Sequence, residues 1–340
     1  MTKKLTLSGL LIGLFLFTGP AYGASSFEGK TVRIIVGYSA GGGYDLYARA
    51  ISRHLGKHLP GKPAVMVENM TGAGSLIAAN YIARVAKPDG LTMGHFNGSL
   101  FFNQLLEQPG VEFDARKFIF LGAPVKEGMV CVFTKKSGIA NMDQWQAAKT
   151  PAKMGGLGLG VNTDNNIRLI KAVLGLPVQL VSGYKGSADI RLAMEQGELA
   201  GSSPTWISFR SSAGKAIERG EFAVVLQAVP EPFPDLPKVP LVINYAKTDE
   251  ARQLIEVGIH SASIFSRAFV LPPGTPKEET QILTKAFTDT LKDKEFLADA
   301  EKSKLDIEPV TAAQLDRSVN SIFKLDRTLV AKLKDILFKK

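Results

Sequence analysis

From Val32 to Phe96 the chain alternates between short apolar runs and stretches whose apolar positions recur every three or four residues. Val32-Arg33-Ile34-Ile35-Val36 is a β-branched run of strand length and reads as a buried strand. Gly41-Gly42-Gly43 ends it. From Asp45 the spacing of Leu46, Ala50, Ile51, Leu55 and Leu59 predicts a helix with one apolar face. Pro60-Gly61 stops that helix, Val65-Met66-Val67-Glu68 is the next strand, and a second helix runs through Ile77, Tyr81 and Val85. Pro88-Asp89-Gly90 turns the chain into a third strand, Leu91 to Phe96. Strand, helix, strand, helix, strand at this spacing predicts a parallel α/β sheet with right-handed crossovers.

The rhythm then changes. Phe118 to Leu121 and Met129 to Phe133 read as strands with Gly122-Ala123-Pro124 between them. Lys153 to Gly160 is a Gly-rich strand and turn, Asn166 to Leu174 a helix, Val178 to Val181 a strand and Ala188 to Gln196 a helix. Phe222 to Ala228 is a strand that runs into Pro230, Pro232, Pro234, Pro237 and Pro240, a stretch expected to link two lobes. The tail from Lys277 is helical, with Pro309 between helices.

Length and charge narrow the function. At 340 residues the chain has room for two domains and a proper core. The net charge of +9 is spread along the sequence, with no basic block interleaved with aromatics, which excludes a nucleic-acid partner. The single cysteine, Cys131, excludes an internal disulfide and a CxxC motif, and Val130-Cys131-Val132 reads as a buried strand. Lys3 and Lys4, the 13-residue apolar run Leu5 to Phe17, and Ala21-Tyr22-Gly23 make a secretory signal peptide over residues 1–23, cut after Gly23. That run falls short of the about 20 residues a membrane span needs. With no cysteine after the cut, a lipid anchor is not expected, and the mature chain is expected in the periplasm.

Three glycine-bearing loops carry the candidate chemistry. Tyr38-Ser39-Ala40-Gly41-Gly42-Gly43-Tyr44-Asp45, Gly72-Ala73-Gly74-Ser75 and Tyr184-Lys185-Gly186-Ser187 each open a helix. Free N–H groups at a helix start and the helix dipole favour an anion there. In a doubly wound sheet such loops gather at the carboxyl ends of the strands, which predicts a cleft suited to a carboxylate. Gly37-Tyr38-Ser39-Ala40-Gly41 also fits the G-x-S-x-G nucleophile elbow, giving an exported α/β-hydrolase with Ser39 as nucleophile as the alternative. Its place after the first strand, with only a distant His260 to nominate as base, argues against that. The glycines at 155, 156, 158 and 160 do not make G-x-G-x-x-G and there is no P-loop, so no cofactor is expected. His54 and His58 have metal-ligand spacing but no third ligand in sequence, and read as surface histidines. His95, beside Asn97, could face the cleft or be structural, and Trp206, after Thr205, could wall a pocket or fill the core.

The ordered set Gly41-Gly42-x-x-Asp45, Val67-Glu68-Asn69, Gly72-Ala73-Gly74, Pro88-Asp89-Gly90, Gly183-Tyr184-Lys185-Gly186-Ser187, Leu236-Pro237-Lys238-Val239-Pro240 and Pro272-Pro273-Gly274-Thr275-Pro276 resembles the solute receptors of tripartite tricarboxylate transporters, the Bug family. The resemblance implies an α/β, two-lobed type II periplasmic binding protein of the Venus-flytrap kind, each lobe a mixed, mostly parallel sheet flanked by helices. It places lobe 1 at 25–122 and 230–340 and lobe 2 at 123–229. It implies a non-enzymatic, monomeric receptor that holds a small carboxylated solute and delivers it to a membrane permease of one large and one small subunit. A binding lobe reporting to a sensor kinase is a further alternative. Carried over position by position, the first loop is Ser39 to Asp45, the second Thr71 to Ser75 and the second-lobe loop Tyr184 to Ser187, the first and the last of these gripping one carboxylate. Asn162-Thr163-Asp164 lies where the family leads into a helix through Ser/Thr. Tyr44 stands where the family has a small residue, and Ser39-Ala40 where many members have Pro-Pro. Asp45 is expected to act at the helix start rather than on the ligand.

Overall fold

The computed structural model describes residues 27–338, so the expected signal segment 1–23 lies outside the described residues. The described chain forms two sheets. The first contains β1 (Thr31–Val36), β2 (Ala64–Asn69), β3 (Thr92–His95), β4 (Ile119–Ala123), β10 (Phe269–Leu271) and β11 (Val310–Thr311), in the order β11-β4-β10-β3-β1-β2. The second contains β5 (Met129–Thr134), β6 (Ala152–Gly155), β7 (Val178–Val181), β8 (Gly201–Ser202) and β9 (Phe222–Ala228), in the order β7-β6-β8-β5-β9.

The expected parallel start is present: β1 pairs in parallel with both β2 and β3. β1 is buried along most of its length because helices cover both faces, which is why it reads as a continuous apolar run. The sheets are mixed, with parallel and antiparallel pairings nearly balanced rather than mostly parallel. β10 runs antiparallel between β3 and β4, and β5 runs antiparallel between β8 and β9. Both strands enter their sheets directly after a crossing between lobes, without the helical crossover that a parallel pair requires.

The helix Gly43–Leu55 buries Tyr44, Tyr47, Ala48, Ile51 and Leu55 against the first sheet. Its polar face is tied to the helix Lys294–Lys302. Arg53 Nη2 and His54 Nε2 lie 2.7 and 3.1 Å from Asp299 Oδ2, and Lys57 Nζ and His58 Nε2 each lie 2.9 Å from Asp293 Oδ2. Tertiary folding does bring Asp293 and Glu295 near His54, a clustering the sequence spacing did not reveal. Lys57 sits on both carboxylates, at 2.9 and 2.7 Å, so the cluster is already charge-compensated.

The chain leaves the first sheet at Ala123 and joins the second at Met129. It returns later than residue 230. The proline stretch stays on the second lobe because Gln227 captures it: Nε2 donates to Leu236 O and Val239 O, and Oε1 accepts from Phe233 N. The helix Asp249–Ile255 then packs on the second-lobe helix Asn162–Leu174, and the chain reaches β10 only after the segment 261–268. The last helix, Arg327–Phe338, also packs on Asn162–Leu174, so the C-terminal region spans both lobes. The two crossings run side by side, with Glu127 N donating to Ser263 O.

Cys131 is fully buried in β5, and burial pushes its thiol up to about 12. The native protein should therefore fail to react with a thiol reagent at pH 8, whereas one thiol per chain should titrate in denaturant. Rapid labelling of the native state would place Cys131 outside the core.

Candidate functional site

Four helices of ten residues or more begin at the same interlobe cavity: Gly43–Leu55 from the first lobe, and Asn162–Leu174, Ser187–Gln196 and Trp206–Glu218 from the second. In none does the side chain of the N-cap residue accept from the first turn, although Thr163 N donates to Asn162 Oδ1 at 3.0 Å. Elsewhere, Asn141, Thr248, Asp293 and Thr311 cap their helices with their own side chains. The helices entered through Ser75, Gly98 and Pro276 also lack a cap from that residue's side chain. Uncapped starts leave N–H donors and the positive dipole ends turned toward the cavity, a setting for an anion. The cavity is narrow, about 40 Å³.

Arg267 lies at this point, fully buried, at the end of the return crossing. Its Nη2 is 2.6 Å from Glu127 Oε1 and 3.2 Å from Thr205 Oγ1, and it also donates to Ser208 Oγ. The guanidinium lies 4.0 Å over the Tyr44 ring, and Tyr44 OH donates to Ser266 O at 2.7 Å. Tyr44, the aromatic departure from the family pattern, thus carries the cation. Burial alone would lower the Arg267 pKa, but Glu127 and the tyrosines outweigh it, and the guanidinium stays charged. Its Nε and Nη1 have no protein acceptor. A buried donor left unpaired costs about 1–3 kcal/mol, so these groups favour an incoming acceptor.

The cavity is lined by eight of the expected site residues: Tyr38, Gly42, Gly43, Tyr44, Asn162, Thr163, Ser187 and Thr205. Gly43 is needed there, because a Cβ would collide with Ser208 Oγ and Arg267 Nη2. The helix expected from Asn166 begins at Asn162, since Asn162, Thr163 and Asp164 form its first turn. Other expected residues shape the loops instead. Asp164 accepts from Gly158 N and Thr163 Oγ1, each at 3.1 Å, and from Ser182 Oγ. Ser75 Oγ accepts from Asn97 N at 3.1 Å, and Gly74 O accepts from Tyr38 OH at 3.4 Å. Gly72, Ala73, Gly74 and Ser75 all have positive φ, which turns this loop tightly against the Gly158–Val161 turn of the second lobe. Ala40, Gly41, Gly72, Ala73, Tyr184 and Lys185 are not among the lining residues.

The first and third loops meet directly across the cleft. Ser39 N donates to Lys185 O at 3.2 Å, and Ser39 Oγ donates to Asp189 Oδ2 at 2.9 Å. Gly186 permits this approach, since a Cβ there would strike Ser39 Oγ. Asn97 Nδ2 donates to Asn162 Oδ1 at 2.6 Å, a further bond between lobes. Ser39 therefore pairs with a carboxylate, and His260 is not its partner: the nucleophile arrangement is not assembled. His95 is structural. Its Nδ1 lies 3.1 Å from Ala268 O, its ring stacks 4.0 Å from Phe269, and burial, with Arg267 nearby, lowers its pKa to about 3. Trp206 donates to Asp235 at 3.0 Å and does not line the cavity.

Sequence reasoning missed Arg267, Glu127 and Ser208. The available signal was Phe265-Ser266-Arg267-Ala268-Phe269-Val270-Leu271, one charge inside an apolar run that becomes a buried strand.

Residues 47–334 match the family described as tripartite tricarboxylate transporter family receptor, and the chain belongs to that family of periplasmic solute receptors. A UPF0065 protein of Bordetella pertussis is 27% identical over 276 residues, 78% of this chain and 77% of the relative. One from Bordetella bronchiseptica is 32% identical over 152 residues, 44% of each chain. Among solved structures, the periplasmic binding protein BugD aligns with a TM-score of 0.73 at 19% identity, covering 90% of this chain and 97% of that one. MatC from Rhodopseudomonas palustris, solved with bound malate, aligns with a TM-score of 0.69 at 18% identity, covering 90% and 98%. These likenesses give the fold: two lobes of the periplasmic-binding-protein kind.

Asp45 acts within the first loop. Its Oδ2 accepts from Gly41 N at 3.0 Å and from Arg49 Nε at 2.8 Å, and its Oδ1 accepts from Asn69 Nδ2 at 3.0 Å. Burial would raise its carboxyl, but the bonds from Arg49, Gly41 and Asn69 outweigh burial and hold it below the ordinary 3.8. Asp45→Ala should cost about 0.5–2 kcal/mol in urea unfolding. Asp45→Asn should cost about 1–3 kcal/mol, because the buried carboxylate accepts through both oxygens and an amide leaves one set of donors unpaired. A depressed carboxyl contributes stability above its unfolded pKa and loses it as pH falls, so wild type and Asp45→Asn should converge below pH 3.8. An Asn variant with unchanged stability but tenfold weaker solute binding would show that Asp45 contacts the ligand.

Proposed function

We propose that the protein is exported to the periplasm, closes its two lobes on a small carboxylate, and presents the loaded form as a monomer to a two-subunit membrane permease. The observation that carries this reading is the convergence of four uncapped helix starts and the buried Arg267 on one interlobe cavity. Donors and positive partial charge surround that point, and N–H groups fixed in helices need no reorganisation to receive a carboxylate. The malate bound by MatC supports an acid of that general class as cargo. The grip expected from the Tyr38–Asp45 and Tyr184–Ser187 loops fits the bonds that already join them, since each loop also opens one of these helices.

The test is a thermal-shift screen of carboxylic acids on refolded, ligand-stripped protein. A cognate acid at a hundredfold excess over its Kd should stabilise the fold by about 2.7 kcal/mol, and its amide should shift the melting temperature little. Equal shifts from acid and amide would remove the anion site. Ser39→Ala should weaken solute binding through loss of the bond to the Asp189 carboxylate, worth about 1.5–3 kcal/mol in the closed form. The melting temperature without solute should not change. Hydrolysis of an activated ester by wild type that disappears in Ser39→Ala would overturn the receptor reading.

A further inference from the structure

Past the helix starts the cavity continues as a slot between two helices of the second lobe, roofed by the first loop. Ser187, Ile190 and Met194 line it from the helix Ser187–Gln196, and Ser208, Phe209 and Ser212 from the helix Trp206–Glu218. Spacings of three and four place Ser187, Ile190 and Met194 on one face of the first helix, and Ser212 one turn beyond both Ser208 and Phe209 on the second. From Ser187 to Met194 the slot is on the order of 10 Å long at 1.5 Å per residue. Its two ends differ in chemistry. Arg267 is surrounded by Glu127, Thr205, Ser208 and the Tyr44 ring, whereas Ile190, Met194 and Phe209 present hydrocarbon.

We propose that Arg267 reads the solute's charge and that the solute is an elongated carboxylate, its acid group against Arg267 and its hydrocarbon body along Ile190, Met194 and Phe209. This rests on the receptor reading above and adds a shape and a charge-reading residue to it. Three features of the pocket carry it. Glu127, Thr205 and Ser208 occupy only Nη2, so Nε and Nη1 of a fully buried guanidinium are left for an acceptor. The Arg267–Glu127 pair is neutral as a unit, so the added negative charge is balanced by the helix starts around it. The slot walls beyond are mainly Ile190, Met194 and Phe209, with the Ser212 hydroxyl turned back to the Ser208 carbonyl of its own helix, until Arg191, which is engaged with Glu195 at 3.5 Å. A body of several carbons needs more room than about 40 Å³, so holding one parts the two helices or the lobes.

The experiment is calorimetry on the ligand-stripped protein with acetate, butyrate, hexanoate and the neutral hexanamide. Affinity should rise about fourfold per methylene from butyrate to hexanoate, the equivalent of about 0.8 kcal/mol. Hexanamide should bind at least tenfold more weakly than hexanoate. Arg267→Gln combined with Glu127→Gln removes both charges together and strands neither. It should abolish the preference for acid over amide and keep the dependence on chain length. Met194→Ser should do the reverse. If circular dichroism shows the double variant unfolded, Arg267→Lys decides: it keeps the charge, loses the guanidinium N–H groups, and should weaken hexanoate at least fivefold with hexanamide unchanged. An acid preference that survives these changes would overturn the role of Arg267. Equal affinity for acetate and hexanoate would overturn the slot. Failure of every carboxylate to bind wild type would instead overturn the receptor reading itself.

Discussion

A guanidinium and a carboxylate removed completely from water, Arg267 and Glu127, hold together the parts of this protein that must move relative to one another. Their side chains are 2% and 0% exposed and 2.6 Å apart. Glu127 lies on the outgoing crossing between the sheets and Arg267 on the returning one. Removing either partner alone would strand a buried charge, at about 3–5 kcal/mol. Both lobes contact the pair, while Nε and Nη1 of Arg267 and Oε2 of Glu127 keep no protein partner. Thr205 and Ser208 come from the start of a second-lobe helix, and Tyr44 and Tyr47 stack from a first-lobe helix. A charge pair is a poor way to gain stability when a hydrophobic pair of similar volume would serve. Its position at the cleft gives it a different value: it puts a cation at the converging helix starts and pins both hinge strands to that point.

The rest of the site follows from fitting backbone around this pair. Gly43 has no side chain because Ser208 and Arg267 fill the space where its Cβ would be. Tyr44 is aromatic because the cation needs a face to rest on and Ser266 O needs a donor. His95, 4.9 Å from Tyr44, stays neutral beside Arg267, so the cleft gains no second positive side chain from it. Other contacts also join the lobes, among them the Ser39–Asp189, Ser39–Lys185, Asn97–Asn162 and Asn103–Gly160 bonds. The neutral ones are individually worth about 1 kcal/mol and the bond to the Asp189 carboxylate about 1.5–3 kcal/mol, small against the buried pair.

Most of the scaffold was legible in the sequence because it depends on local rules. The β-branched run at Val32–Val36, the apolar stripe from Leu46 to Leu55 and the glycines before each helix speak through periodicity and backbone freedom, which a reader can count. The site's loops were legible for the same reason, and eight of the expected residues line the cavity. What was not legible depends on contacts between residues far apart in the chain. Arg267 and Glu127 are 140 positions apart by their numbering, and nothing near either residue announces the other. The late return of the chain was hidden in the same way. Five prolines read as a linker, yet one glutamine side chain, Gln227, holds them on the second lobe. The expected role of Asp45 could be argued from capping chemistry, since its partners Gly41 and Arg49 lie within one helical turn.

The way positive charge is supplied suits a protein whose cargo must also leave. A lone buried arginine facing an acid would form a pair in low dielectric that is costly to separate. Here the cation is already shared with Glu127, so a carboxylate gains from partial charges at four helix starts and from the guanidinium N–H groups still free. That lowers the gain on binding and, equally, the cost of release. It also makes the binding dependent on closure, because Gly43–Leu55 comes from one lobe and the other three helices from the other. When the lobes part, the anion keeps the second-lobe helix starts and loses the first. The acid is then held only by donors from one side, and the same motion that opens the path to solvent weakens the grip.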